Sequence, residues 1–245
     1  MTNINEALET NREDYEVRYS KNELFLRYPA DWIIRFHNIF LRKHIPTGRV
    51  LDYGCGSGNN SIFFIQQGYE TYGTEVAESA ISQFKANLHS NHLDTALAER
   101  IVITSPDSSR LPFEEGFFDA IVSNQVLHFL PSEEHIKRVC KELSRCLRPG
   151  GVVFFTMMAP RNYYITHHLT QIHPGRIYEV TVQPGHRLAG VRHFYYIVRD
   201  EEELKSLFSE FECLTVGHFD QSMFDLVSNF HWIFIGKKSS SMPPE

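Results

Sequence analysis

The stretch Arg49 to Asn60, RVLDYGCGSGNN, decides the fold. Val50 and Leu51 read as the end of a short buried strand, and Asp52 stands where that strand stops. Gly54, Gly56 and Gly58 alternate through a tight turn, and Asn59 onward looks helical. Glycines let backbone approach a ligand closely and permit φ > 0 without a Cβ clash. A helix N-terminus after such a loop offers free N–H groups. Strand, glycine loop and helix together are how an open α/β sheet builds a nucleotide site at the carboxyl ends of its strands. A phosphate-binding P-loop needs Lys and Ser/Thr after its last glycine, whereas Asn59, Asn60 and Ser61 follow Gly58. A dinucleotide fingerprint needs a third glycine where Asn59 stands. The spacing here is G-x-G-x-G preceded by Asp52. On these residues alone, a ligand-free glycine turn and a degenerate nicotinamide site remain open alternatives.

Working outward, strands and helices alternate. A helix is expected over 59–67, a strand over Glu70–Glu75, and a helix carrying Ser79, Ala80, Ile81 and Phe84. Strands follow at Arg100–Thr104 and Phe117–Ser123, then an amphipathic helix over Pro131–Leu147 and a buried strand over Val152–Met157. Such alternation means βαβ units, right-handed crossovers and a mostly parallel sheet. A further helix is read at 200–210, and two last strands at Phe211–Val216 and Asn229–Ile235. The fold class is therefore α/β and Rossmann-like, with seven strands and helices on both faces.

The flanks fit this plan less simply. Residues 1–20 read as a mobile arm, and Trp32, Ile33, Phe36, Ile39 and Phe40 as one face of a cover helix, so 1–44 forms an N-terminal arm and cover. Residues 45–237 form the main domain. Within it, 159–198 breaks the alternation and reads as an inserted helix plus hairpin, lying over the crevice as a cap. Long insertions in compact domains are usually functional. The tail 238–245 reads as disordered by composition.

Composition narrows the functional classes. Of 245 residues, 42% are hydrophobic and 22% charged, with a net charge of −6, which is globular and argues against nucleic acid as partner. The start, MTNINEALETNRED, lacks the features of a signal peptide. No apolar run approaches a membrane span. The four cysteines have no CxxC spacing and read as reduced thiols of a cytoplasmic protein. No metal is expected, because no histidine pair has metal-ligand spacing with a partnering acid.

The glycine loop with its preceding Asp52 resembles the first motif of class I S-adenosylmethionine-dependent methyltransferases. SPDSSRLPFEEGFFDAIVSNQVLHFL, from Ser105, resembles that family's third and fourth motifs, and LRPGG at 147–151 its turn before strand five. The resemblance covers about residues 45–158 well. It implies S-adenosylmethionine as cofactor and S-adenosylhomocysteine as product. Asp52, Gly54, Cys55, Gly56, Gly58 and Asn59 would form the loop site, with Glu75 and Val76 beside the ribose. Asp107 and Ser108 would meet the adenine; Ser123, Asn124 and Gln125 would close around the methionine end. An N/D-P-P-Y/F motif, frequent in enzymes that methylate amide nitrogens of nucleic acids and proteins, is not there. A small-molecule acceptor, methylated at oxygen, is the expectation.

Acceptor residues are read from position. His128 follows the fourth strand and is the candidate catalytic base, since imidazole titrates near working pH. Arg187 and Arg192 of the insertion, with Tyr28, are candidates to grip an anionic acceptor, since Arg holds such groups bidentately. Pairing of these arginines with Glu179 or the run Asp200–Glu203 is the structural alternative. The chain is expected to be a monomer or homodimer. Rival readings are a methyltransferase of tRNA or protein, a non-catalytic S-adenosylmethionine-binding protein, and a nicotinamide dehydrogenase.

Overall fold

In the computed structural model, residues 3–106, 109–186, 188–222 and 228–240 are described. The centre is β1 (Arg49–Tyr53), flanked on one side by β2 (Glu70–Glu75) and then β3 (Ile101–Ile103). On its other side lie β4 (Phe118–Ser123) and β5 (Leu147–Met158). These five strands pair in parallel. β10 (His231–Lys237) runs antiparallel to β5 and to the edge strand β9 (Glu212–Phe219). The order is β3-β2-β1-β4-β5-β10-β9. The chain leaves β1 in one direction and returns at β4 on the other side. The switch point between them opens a crevice beyond the carboxyl ends of the strands.

Successive strand residues face opposite sides, and the core divides accordingly. Leu51, Ile121, Val153 and Phe155 face one layer, built on α6 (Glu133–Cys146) and α8 (Glu201–Leu207). Val50, Ala120, Val122 and Phe154 face the other, built on α2 (Asp31–Phe36) and α4 (Asn59–Gln66). The cover helix expected from residue 31 is real but broken. After α2 it widens into a π-helical turn over His37–Leu41 and closes as α3 (Arg42–His44). Helix α5 (Ser79–Ser90) completes the first half of the sheet's cover. Asp119 ties the sheet's lower edge, accepting from Arg49 N at 2.8 Å and from Arg148 Nε at 2.5 Å.

Two expectations are corrected. Of the stretch read as an arm, residues 4–20 form a helix instead: α1 spans Ile4–Ser20, and Asn3 caps it by accepting from Glu6 N at 2.8 Å. Its buried stripe, Ala7, Leu8, Asn11, Arg18 and Tyr19, has helical spacing but mixed polarity, so no apolar period marks it. The insertion is larger than a helix plus hairpin. After α7 (Tyr163–His168), β6 (Leu169–His173), β7 (Ile177–Thr181) and β8 (Arg192–Tyr196) form a three-stranded antiparallel sheet. β8 packs against α1. The tail begins ordered, with Lys238 Nζ donating to the carbonyls of Ser144 and Leu147, while 241–245 lie outside the described residues.

Asn11 fastens α1 to that second sheet. Its amide donates to Phe129 O (3.1 Å) and Phe194 O (2.8 Å) and accepts from Phe194 N (2.9 Å). Removing it leaves buried backbone groups unpaired, each costing about 1–3 kcal/mol. Asn11→Ala is therefore expected to destabilise α1 docking by about 2–3 kcal/mol, read by urea denaturation and by hydrogen exchange of α1 amides. A loss under about 0.5 kcal/mol would overturn this role.

Candidate functional site

The site grows from the end of β1. Gly54 N and Cys55 N both donate to Thr74 O, at 2.9 and 3.0 Å, so the loop folds back onto β2. Gly54, Gly56 and Gly58 have φ of +75°, +53° and +80°, a region that costs other residues energy. Each is also hemmed in from a different element. A Cβ on Gly54 would lie 2.4 Å from Val126, one on Gly56 2.2 Å from Tyr19 Oη, and one on Gly58 1.7 Å from the Phe84 ring. Three neighbours thus press on the loop: the segment after β4, α1 and α5.

Two buried carboxylates hold it. Asp52 accepts from Ser61 Oγ at 2.6 Å, joining the end of β1 to the first turn of α4. It is 1% exposed, and burial pushes its pKa up to about 6. Glu75, 7% exposed, accepts from Gly56 N (2.9 Å), Val76 N (2.7 Å) and Ala77 N (3.1 Å). Burial raises its pKa as well, against the pull of those three N–H groups. An ionised carboxylate has about four lone-pair positions. These three donors leave one position unused on a residue that lines the neighbouring cleft.

That cleft has a cavity volume of about 260 Å³ and opens to solvent at its mouth. Of the residues expected from sequence, Gly54, Cys55, Gly56, Asn59, Glu75, Val76, Asn124 and Gln125 line it. Asp52, Gly58 and Ser123 stand behind the lining; they shape the loop and the end of β4 without reaching the cavity. Cys55 is a buried thiol whose pKa is pushed well up by desolvation, so it is a small hydrophobe beside the loop. Asp107 and Ser108 lie outside the described residues, between Pro106, which lines the cleft, and Ser109.

The acceptor candidates are placed differently from expectation. His128 is 2% exposed and does not line the cleft. It packs against Phe129, Tyr195 and His231, and burial drives its pKa well below the imidazole value. A neutral ring behind the wall is not positioned as a base. Arg192 is held by Glu179 at 2.7 Å and stacks over Phe194. Tyr28 is exposed, and its carbonyl accepts from Asn59 Nδ2 at 3.0 Å. Arg187 lies outside the described residues. Among the described residues, none from 159–198 lines the cleft.

The cover is α1 instead. Leu8 and Arg12, which sequence reading passed over because their helix shows no apolar period, face the cavity together with Tyr15 and Tyr19. The strap from α1 to α2 is tied down by the loop's own neighbours. Ser57 Oγ accepts from Leu26 N at 3.1 Å, Asn87 Nδ2 donates to Leu26 O at 3.1 Å, and Asn60 Oδ1 accepts from Ala30 N at 3.1 Å. Beyond β4, Asn124 Oδ1 accepts from Trp32 Nε1 at 2.6 Å. Gln125 has φ of +59° and donates its N–H to Thr156 Oγ1 at 2.7 Å, a strained conformation of the kind found at functional sites. No helix among the described residues is long and apolar enough to cross a membrane.

Known proteins match this arrangement. Residues 51–155 match the family described as a methyltransferase domain. The mRNA cap guanine-N(7) methyltransferase of Schizosaccharomyces pombe is 26% identical over 220 residues, covering 78% of this chain and 60% of that protein. A ubiquinone biosynthesis O-methyltransferase of Burkholderia thailandensis is 30% identical over 125 residues, about half of each chain. The chain thus spans less than two thirds of these relatives' lengths. In fold it resembles the 1,6-didemethyltoxoflavin-N1-methyltransferase of B. thailandensis, solved with S-adenosylhomocysteine. The TM-score is 0.63 at 18% identity, over 98% of this chain and 92% of that one. Residues 51–155 thus carry the match to a methyltransferase domain, and the chain has the fold of solved S-adenosylmethionine-dependent methyltransferases.

Asp52 carries a pH signature. Its folded pKa of about 6 lies above the ordinary value near 4, so the folded state holds its proton more tightly. Its contribution to stability is complete below about pH 4 and is lost as pH rises through about 6. The two-unit shift is worth about 2–3 kcal/mol. Asp52→Asn keeps an acceptor for Ser61 without the charge. Urea denaturation across this range is expected to show the variant's stability flatter by that amount and no lower than the parent's near neutrality. An unchanged slope would remove Asp52 as its source.

Proposed function

We propose that the chain transfers a methyl group from S-adenosylmethionine to a small-molecule acceptor at oxygen. The observation that carries this reading is the cleft at the β1/β4 switch point, with Gly54–Gly56 and Glu75 on one wall and α1 on the other.

The residues present suit the cofactor. Gly54 and Gly56 put bare backbone on the wall, and the lone pair of Glu75 that its three donors leave unused suits a ribose hydroxyl. Asn59, Val76, Asn124 and Gln125 complete the wall. When bound, S-adenosylmethionine supplies a methyl group on a positively charged sulfur. The chain's residues position the acceptor in line with that group and exclude water. Such ordering converts a bimolecular encounter into a unimolecular one. Hydrolysis of the cofactor is suppressed where α1 and its strap cover the cleft.

A macromolecular acceptor is the second reading, favoured by the similarity to the fission-yeast cap methyltransferase. The net charge of −6 and the cover over the cleft support the small molecule. Free cysteines suit a reducing cytoplasm.

The protein is expected to bind S-adenosylhomocysteine in calorimetry, and Glu75→Gln to weaken binding by about tenfold or more through loss of a charge-assisted hydrogen bond. In cell extract supplied with labelled methyl donor, label is expected in low-mass metabolites. Label confined to RNA or protein would transfer the reading to its rival, and affinity unchanged in the variant would strip Glu75 of its role.

A further inference from the structure

The wall that α1 gives the cleft has hydrogen-bond donors and no base. Tyr15 and Tyr19 line the cavity, and neither hydroxyl has a hydrogen-bond partner among the described residues. Tyr19 is 8% exposed, with its oxygen against Gly56. Tyr15 is held rigidly. Its ring stacks on His193 at 5.7 Å and 8° and meets Phe129 edge-on at 5.1 Å. His193 is fixed in turn by Asp14 Oδ2, 2.7 Å from its Nε2, and by Tyr195 Oη, 2.9 Å from its Nδ1. The groups facing Tyr15 are Asp14, Arg18 and Tyr19 on α1, Glu75 at the end of β2, His193 on β8 and Tyr164 on α7. Burial raises the phenol pKa of both tyrosines well above the usual range, so both remain O–H donors.

No other described residue of the lining supplies a base. Glu75 is bound to three N–H groups. Arg12 is paired with Glu9, and no histidine or lysine lines the cavity.

Resting on the methyltransferase reading, we propose that the acceptor is a flat, acidic oxygen compound, a phenol or enol that ionises without help from the protein, and that Tyr15 Oη donates a hydrogen bond to its oxyanion. The aromatic wall of Tyr15 and Phe129 fits a planar ring. The proton leaves to solvent before the reaction. The oxyanion then attacks the methyl carbon; the O–CH₃ bond forms as the S–CH₃ bond breaks, and the electron pair stays on sulfur as a neutral thioether. No proton moves in that step. Opposite charges cancel in it, and a cleft that excludes water favours such cancellation. His193 is a positioning residue, acting through the Tyr15 ring.

The test uses full-length protein saturated with S-adenosylhomocysteine and 4-nitrophenol as probe, since its neutral and ionised forms absorb differently. The probe is expected to bind as the phenolate, with an apparent pKa about one unit or more below its value in water. Tyr15→Phe is expected to return that pKa to the solution value and weaken binding about tenfold, as loss of a hydrogen bond to a charged group does. His193→Gln is expected to move the bound pKa the same way by less. Each variant is checked for its cofactor affinity, which should not change. Binding as the neutral phenol, no binding, or an ionised probe indifferent to Tyr15→Phe would overturn the proposal. Failure to bind S-adenosylhomocysteine at all would instead strike the methyltransferase reading itself.

Discussion

Glu75 receives three backbone N–H groups in a nearly dry environment, and the architecture of the cleft follows from that bond set. One oxygen holds Gly56 and the other holds Val76 and Ala77. The turn after β1 and the turn after β2 are thereby one rigid unit. Desolvation works against the charge, and the three N–H groups offset it. Because those donors belong to backbone, the arrangement needs a loop that brings amides inward. Gly54, Gly56 and Gly58 supply the left-handed φ values that do so. Asp52 repeats the device one layer deeper, joining β1 to α4 through Ser61.

Around this unit the chain builds a cover from distant pieces. α1 lies between the cleft and the inserted sheet, touching the first through Tyr15 and Tyr19 and the second through Asn11 and Asp14. The insertion therefore acts on the site at one remove, as the surface on which the cover helix rests. Arg192, Glu179 and His173 tie that sheet within itself. Arg176 ties it to α8 by its ion pair with Glu203. Arg192 and Arg176 are thus compensated where they stand.

The polarity of α1 follows from its two-sided contacts. A helix packed against a core on one face is read by its apolar period. Here the buried face meets strand-edge carbonyls and amides as well as side chains, so Asn11 and Arg18 occupy positions where Leu would otherwise be expected. Buried polar groups of this kind are tolerated when hydrogen-bonded, as Asn11 is on all three contacts.

The sequence by itself determined the parallel sheet, its alternating helices, the glycine turn and the acid at the end of β2. Each rests on short-range rules: period-two and period-3.6 hydrophobicity, and the backbone freedom of glycine. β2 and the helical stretch before β5 stand close to where the pattern puts them. Tertiary structure alone decided what covers the cleft and which side chains face it. Whether His128 reaches the cavity or packs behind it depends on how Tyr195 and His231 approach from strands far along the chain. Whether Arg192 is free for a ligand depends on Glu179 across a strand pair. Tyr15 faces the cleft because His193, 178 positions later in the sequence, stacks against it. Long-range contacts of this kind leave no periodic trace, since the partner's position is set by the fold and not by spacing along the chain.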